Sequence, residues 1–167
     1  DMLPQWLREN ALACEQAMLG LLSKSGRLSS LCNSAVLPGR KLRASLAIQY
    51  MKWAGITTGS TAPSVLFESL AKTEFLHSAS CILDDIIDGD TVRRGQPVFH
   101  VREGLPQAIL TAQDLIAAAC SIELSHPGRV RRRVQDALVG SVREALRGEA
   151  CDSFALSDTL KYVSSGL

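Results

Sequence analysis

The chain has 167 residues, which allows one compact domain with a hydrophobic core of its own. Hydrophobic residues make up 46% and charged residues 21%, a balance that excludes an intrinsically disordered chain. Because 18 Lys and Arg residues stand against 17 Asp and Glu residues, the net charge gives no reason to expect nucleic acid or an anionic membrane as the partner.

The cysteines are widely spaced, odd in number and form no CxxC pair: Cys14, Cys32, Cys81, Cys120 and Cys151. This pattern argues against a disulfide framework or a zinc site and favours the reducing cytosol. Cys14, Cys81 and Cys120 fall in apolar helical surroundings and are interpreted as small core residues. The most apolar window, residues 108 to 124, contains two acidic residues and is too short to span a bilayer.

The first third of the chain predicts two helices. Residues 3 to 22 carry apolar side chains at helical spacing and predict an amphipathic helix, and residues 23 to 37 predict a loose connection rich in Ser, Gly and Asn. A second helix opens at residues 38 to 43, which read PGRKLR, and runs to about Trp53. Basic groups at a helix N-terminus can bind an anion together with the backbone N–H groups there, although such clusters are more often merely solvated.

The next segment carries the acidic residues. Residues 64 to 88 contain no proline or glycine and have apolar residues at helical spacing, so they predict a long helix. In such a helix Asp84 and Asp88 lie one turn apart on one face, with Asp85 beside them and His77 two turns earlier. This face is too acidic to belong to the core.

Three carboxylates at this spacing repel one another unless a cation joins them, and oxygen ligands of this kind suit Mg²⁺. Residues 89 to 96 predict a turn that brings Arg93 and Arg94 back toward the acidic face, where guanidinium groups could clamp a polyphosphate. Carboxylates, a metal ion and arginines together predict a diphosphate site. The alternative is a solvated surface, although the helix dipole disfavours negative charge at a C-terminus.

The last third predicts further helices. Residues 107 to about 124 form one, whose Asp114 is interpreted as structural, as a cap or as the partner of a basic residue. Residues 129 to about 154 form the next, with an arginine run interpreted as a solvated face, and Ser157 and Asp158 predict a cap that opens one more helix. No stretch alternates with period two, so the predicted class is all-α, an antiparallel helical bundle.

The stretch from residue 74 to residue 100 resembles the first aspartate-rich region of the trans-type polyprenyl (isoprenyl) diphosphate synthases. In that family an EFxH turn precedes DDxxD, and a loop carrying RRGxPxxH follows. The matching residues are His77, Asp84, Asp85, Asp88, Arg93, Arg94, Gly95, Pro97 and His100. Residues 39 to 44 resemble the family's G-K-R-x-R-P, with Arg40-Lys41 in place of Lys-Arg and Ala44 in place of Pro.

The resemblance implies an all-helical fold around a central cavity, in which an allylic diphosphate condenses with isopentenyl diphosphate to a longer polyprenyl diphosphate. It implies Mg²⁺ on Asp84, Asp85 and Asp88, with Arg93 beside the leaving diphosphate. It implies that the isopentenyl diphosphate is held by Arg40, Arg43, His77 and Arg94. The family restricts product length with bulky residues before the first aspartate; here Ala79 and Ser80 are small, so a geranylgeranyl or longer product is expected.

The second half of the family carries a Lys-Thr-Gly segment and a second aspartate-rich motif, and neither occurs in this sequence. Residues 1 to 167 are therefore expected to be the N-terminal part of a synthase domain, silent alone, that pairs as a homodimer or with a C-terminal half. Gly148, Glu149 and Asp152 resemble the family's GQxxD segment less specifically. Two other functions stay open, a non-catalytic subunit of a heteromeric prenyl synthase and a terpene cyclase.

Overall fold

The computed structural model describes residues 4–23, 28–39, 41–55, 62–121 and 128–164. These residues form seven helices and one short two-stranded ribbon, which confirms the all-α class. In chain order the elements are α1 (Gln5–Leu22), α2 (Ser29–Val36), α3 (Leu42–Trp53), α4 (Ala62–Ile87), β1 (Val92–Arg93), β2 (Gln96–Pro97), α5 (Phe99–Glu103), α6 (Leu105–Ser121) and α7 (Gly128–Ser164).

The central element is α4, which packs most extensively against α6 and then against α1. Phe75 and Ala79 of α4 are fully buried, together with Met18 and Leu22 of α1 and Leu115 of α6. Burial of side chains on several sides of one helix fixes its axis, because removing any of them would leave a cavity that the neighbours cannot fill. The packing of α4 therefore fixes the position of its acidic C-terminal end.

The region predicted as a loose connection, residues 23 to 37, contains a helix, so that prediction is wrong. Cys32 and Val36 of α2 lie one turn apart, and both are buried in the core. Ser and Asn have modest helix propensity, but tertiary packing of an apolar face decides whether a short helix forms. The apolar pair was therefore the better guide than the polar residues around it.

The cap predicted at Ser157 and Asp158 is also wrong, because α7 continues through both residues to Ser164. Ser and Asp each cost only a little free energy within a helix, and no proline or glycine follows Gly148 within α7. A capping residue without a helix breaker before it is thus a weak signal. The short helix α5 was not predicted; it ends at Gly104, whose φ of 93° is accessible mainly to glycine.

The remaining helix predictions are confirmed to within a few residues at the ends that the structure describes. The helix predicted over residues 64 to 88 is α4, and the helix predicted to end near Trp53 is α3. Residues 122–127, where α6 was predicted to end, lie outside the described part of the chain. No helix within the described ranges is long and apolar enough to cross a membrane.

Candidate functional site

The acidic end of α4 is formed by a sharp helix stop. The last turn of α4 carries Asp84 and Asp85, and Asp88 follows the final helical residue. Gly89 has a φ of 70°, and the N–H of Asp90 donates to the carbonyl oxygen of Asp85 across 3.0 Å. This is the pattern in which a left-handed glycine closes a helix and satisfies its last carbonyl groups. It keeps the three aspartates together at one end of the helix.

A hairpin then turns the chain back. Val92 pairs with Pro97 and Arg93 with Gln96, and the two residues between the strands, Arg94 and Gly95, have φ values of 53° and 75°. Positive φ at both central residues is what a type I′ turn requires, and this turn suits the twist of a two-stranded ribbon. The sequence-based expectation that residues 89 to 96 form a turn is confirmed.

Arg93 returns to the acidic helix end, as predicted. Its Nε donates to Oδ1 of Asp85 across 2.6 Å, and only 6% of the Asp85 side chain is exposed, against 43% of the Arg93 side chain. The hydrogen bond to Asp85 raises the pKa of Arg93 above its usual value. One oxygen of Asp85 is thus already paired, and Asp84 and Asp88 are the more available carboxylates.

Asp84 experiences an acidic environment. Burial raises the pKa of this carboxyl above its ordinary value, the negative charges of Glu149, Asp88 and Asp85 raise it further, and Arg93 opposes them. The effect of Glu149 is larger than that of either neighbouring aspartate, so α7 brings a fourth carboxylate toward the acidic end of α4. The resemblance of Gly148, Glu149 and Asp152 to the family's GQxxD segment was the signal at this position, but the approach itself depends on how α7 packs on α4.

No group of three His, Cys, Asp or Glu side chains in the described ranges is arranged to hold a metal ion by itself. Mg²⁺, however, is usually held by one or two carboxylates together with phosphate oxygens and water. The pKa of Asp84 is raised by burial first and then by the negative charges of Glu149, Asp88 and Asp85, and a divalent cation would relieve this second contribution. The donor set at this end of α4 therefore fits Mg²⁺ bound jointly with a diphosphate.

Two predicted anion-binding residues meet two turns before the aspartates. Nη2 of Arg43, from α3, lies 2.9 Å from Nε2 and 3.1 Å from Nδ1 of His77, from α4. A guanidinium group can only donate, so the imidazole accepts and its accepting nitrogen carries no proton. Burial lowers the pKa of His77, and the charges of Arg43 and then Arg94 lower it further. The imidazole is neutral at neutral pH.

Arg94 stands at the exposed tip of the hairpin, and its charge acts on His77. Four residues were predicted to hold isopentenyl diphosphate. Three of them, Arg43, His77 and Arg94, therefore lie close enough to interact electrostatically. The fourth, Arg40, lies outside the described residues.

Lys41, in the same basic segment, contacts the backbone and is not exposed to a ligand. It is buried with a φ of 48°, and its Nζ donates to the carbonyl oxygens of Leu37, Pro38 and Gly39 at 3.0, 3.3 and 3.4 Å. These contacts satisfy carbonyl groups just beyond α2. Arg43, the second residue of α3, is exposed and is the residue of this segment that is placed to bind an anion.

Cys81 also belongs to the site, although it was interpreted as a core residue. Its Sγ lies 3.6 Å from Nε2 and 3.7 Å from Nδ1 of His77, one helical turn away, and the residue is only half-buried. The i, i+4 spacing from His77 would have indicated this position. The core interpretation is correct for Cys14, which is fully buried, whereas Cys120 is half-buried.

Asp114 lies away from these residues and has the structural role predicted for it, with a different partner. Its Oδ2 accepts a hydrogen bond from Sγ of Cys32 across 3.3 Å, which joins α6 to α2. Burial first, and then this hydrogen bond, raise the pKa of the Cys32 thiol to about 12. The expected basic partner is replaced by a thiol donor.

A model of the family described as "Polyprenyl synthetase" matches residues 26–164 of the chain. The short chain isoprenyl diphosphate synthase of Methanothermobacter thermautotrophicus is 40% identical over 81 residues, which are 48% of this chain and 23% of that protein. The geranylgeranyl diphosphate synthase of Sulfolobus acidocaldarius is 52% identical over 48 residues, 29% of this chain and 14% of that protein.

A cyclopiane-type diterpene synthase of Penicillium chrysogenum is 36% identical over 83 residues, 50% of this chain and 10% of that protein. The matched segments thus cover less than a quarter of the length of each of these three relatives. No solved structure matches the chain significantly.

Proposed function

We propose, because the chain belongs to the polyprenyl synthetase family, that it forms one wall of a prenyl-transfer site that condenses an allylic diphosphate with isopentenyl diphosphate. The observation that carries this proposal is the arrangement along α4, where a cationic group around His77 and Arg43 lies two turns from an acidic group around Asp84. A reaction between two diphosphates needs two anion sites of different kinds next to each other. A cluster of arginines binds phosphate directly, whereas a cluster of carboxylates binds it through a metal ion.

The acidic group would hold the allylic diphosphate. Asp84 and Asp88 are the proposed Mg²⁺ ligands, and Asp85 can join them through the oxygen that does not accept from Arg93. When bound, Mg²⁺ supplies electrostatic stabilisation of the charge that develops on a leaving diphosphate. Arg93 uses Nε for Asp85, so its Nη groups would be available to donate to phosphate oxygens.

The cationic group would hold isopentenyl diphosphate. Arg43 and Arg94 supply the charge, Arg40 remains a predicted contact, and the neutral His77 orients the guanidinium of Arg43 by accepting from it. Fixing this substrate next to the allylic diphosphate contributes by proximity, because the double bond must reach the carbon that the diphosphate leaves. No protein nucleophile is needed. The widely spaced cysteines are the reason to propose the cytosol as the site of the reaction.

Product formation with and without isopentenyl diphosphate, measured on the chain together with a C-terminal half that carries a second aspartate-rich motif, tests this function. The proposal predicts a longer polyprenyl diphosphate only when both substrates are present. A terpene cyclase, which the likeness to a diterpene synthase keeps open, would consume the allylic diphosphate alone. The contact between Arg43 and His77 favours the condensation, since a cyclase has no second diphosphate to bind there. A non-catalytic subunit would form no product with any partner except an active synthase.

We further propose that residues 1–167 act as the N-terminal part of a synthase domain and require other helices. On α3 the buried residues are Ala44, Ser45 and Ile48, whereas four other large apolar residues face outward: Leu42, Leu46, Tyr50 and Trp53 are 47%, 55%, 69% and 75% exposed. A contiguous apolar stripe of this kind ordinarily marks an interface. The covering helices would come from a second copy or from a C-terminal half.

Sedimentation and a condensation assay on the 167-residue chain test this second proposal. We expect self-association, or association with a C-terminal half that carries a second aspartate-rich motif, and no product from the chain alone. Replacing Leu46 and Tyr50 by lysine should weaken the association, and the same change at Leu12, an exposed residue of α1 outside this stripe, should not. A monomer that condenses the two substrates unaided would contradict the proposal.

A further inference from the structure

Glu74 is a buried carboxylate for which the proposed reaction has no role so far. It lies on α4 one turn before His77 and therefore on the same side of the helix. Only 5% of the residue is exposed, and its Oε1 is buried without a hydrogen-bond partner among the described residues. An unpaired buried carboxylate oxygen costs more free energy than almost any other side-chain atom in that situation. Such an atom calls for an explanation beyond packing.

The charged groups that face Glu74 come from three elements. Arg43 comes from α3 and Lys41 from the residue just before it, the thiol of Cys14 comes from α1, and His77 comes from α4 itself. Burial raises the pKa of the Glu74 carboxyl, and Arg43 first and Lys41 second oppose that rise. The carboxylate therefore lies on the inner side of the basic segment, and cations of that segment are what favour its charged form.

Arg43 needs such a group. Its side chain is long, exposed and held in the structure by Nη2 on the ring of His77. An exposed arginine loses considerable rotamer freedom when it binds a ligand, so a counter-charge that restricts the guanidinium beforehand improves binding. Lys41 cannot be redirected in the same way, because its Nζ already donates to three carbonyl groups.

We propose that Glu74 is a positioning residue for the diphosphate of isopentenyl diphosphate and acts through Arg43, whose guanidinium its buried charge attracts toward His77 without a direct hydrogen bond. This inference rests on the proposed function of the Arg43 and His77 site. It predicts that removing the charge of Glu74 changes the anion affinity in the direction opposite to that expected from simple charge repulsion. Removing a negative charge near an anion site should tighten anion binding if repulsion dominates, and should weaken it if positioning dominates.

Calorimetric titration of the 167-residue chain with isopentenyl diphosphate decides between the two. We expect Glu74→Gln, which keeps the size of the side chain, to weaken binding about tenfold, because the attraction between the buried carboxylate and the Arg43 guanidinium is lost. The affinity of Glu74→Asp, which keeps the charge, should lie between those of Glu74→Gln and the wild type. Glu144→Gln, the same change at an exposed residue of α7, should bind like the wild type.

Two further measurements separate positioning from a general structural role. A non-hydrolysable allylic diphosphate in Mg²⁺ should bind all these variants equally. Glu74→Gln should not weaken the binding of isopentenyl diphosphate further in an Arg43→Ala background, because Glu74 acts through Arg43. Unchanged or tighter binding of isopentenyl diphosphate to Glu74→Gln would overturn the inference, as would equal weakening for both ligands. If Glu74→Gln does not fold, wild-type affinity in Glu74→Asp would overturn it. A wild-type chain that binds no isopentenyl diphosphate would contradict the proposed function itself.

Discussion

The Nε of Arg93 donates to Oδ1 of Asp85 across 2.6 Å, and this single contact ties the hairpin to the last turn of α4. Asp85 is almost completely buried, so Arg93 provides the charge that allows a carboxylate to remain there. The contact also sets the position of Arg94 at the tip of the turn, and with it the distance between the cationic and the acidic groups. Stability and substrate binding therefore depend on the same pair.

The first prediction concerns this pair. Arg93→Ala leaves the buried Asp85 carboxylate without its partner and should lower the free energy of unfolding by about 1 to 3 kcal/mol. Arg147→Ala removes an arginine from the exposed pair with Glu144, at 2.6 Å on α7, and should cost less than about 0.5 kcal/mol. Urea unfolding of the two variants measures the difference. Equal losses would show that the Arg93 contact contributes no more than an exposed ion pair.

The second prediction concerns pH and His77. The folded-state pKa of His77 is lowered by burial and by Arg43, so the unfolded chain takes up this proton first as the pH falls. The stability that the neutral imidazole allows is fully present above about pH 6.5 and is lost as the pH falls through the lowered folded-state pKa. His77→Gln, which cannot be protonated, should gain stability relative to the wild type over that range. Urea midpoints at about pH 7.5 and about pH 5 measure the gap, and a constant gap would contradict the prediction.

The third prediction concerns product length in an active form of the protein. Ser80 is half-buried on the side of α4 that carries His77, whose carbonyl oxygen accepts from its Oγ across 3.0 Å, whereas Ala79 is fully buried in the core. Ser80→Phe should therefore shorten the product from geranylgeranyl or longer, because it narrows the space beside the site. Ala79→Phe should instead overpack the core and cost about 1 to 3 kcal/mol of stability.

Chromatography of the products and urea unfolding test the two variants. Short products from the wild-type enzyme would contradict the interpretation of the small residues at positions 79 and 80. An Ala79→Phe variant that is stable and shortens the product would show that Ala79, not Ser80, lines the cavity.

Local patterns predicted the part of the site that lies on one continuous stretch. The run without proline or glycine predicted α4, and residues 89 to 96 predicted the turn that follows it, in which Gly89 and Gly95 have positive φ values in the structure. Once these local elements form, the covalent chain leaves Arg93 little choice but to return to the acidic end of α4. Short-range geometry was enough because all these residues lie within the same segment.

Contacts between distant helices could not be predicted in this way. The approach of Glu149 to Asp84 depends on the packing of α7 on α4. The contact of Lys41 with the residues just beyond α2 depends on a helix that was not predicted, because its Ser and Asn residues indicated a loop. The unpaired oxygen of Glu74 is likewise a property of burial between helices. Side-chain identity at one position carries no information about which helix will cover it.

The central claim is that the acidic end of α4 binds an allylic diphosphate through Mg²⁺, and calorimetry with a non-hydrolysable allylic diphosphate tests it most directly. We expect binding by the wild type in Mg²⁺ and a loss of at least about tenfold in chelator or in Asp84→Asn. Asp136→Asn, the same change at an exposed residue of α7, should bind like the wild type. Equal affinity in Mg²⁺ and in chelator, or wild-type affinity in Asp84→Asn, would contradict the account.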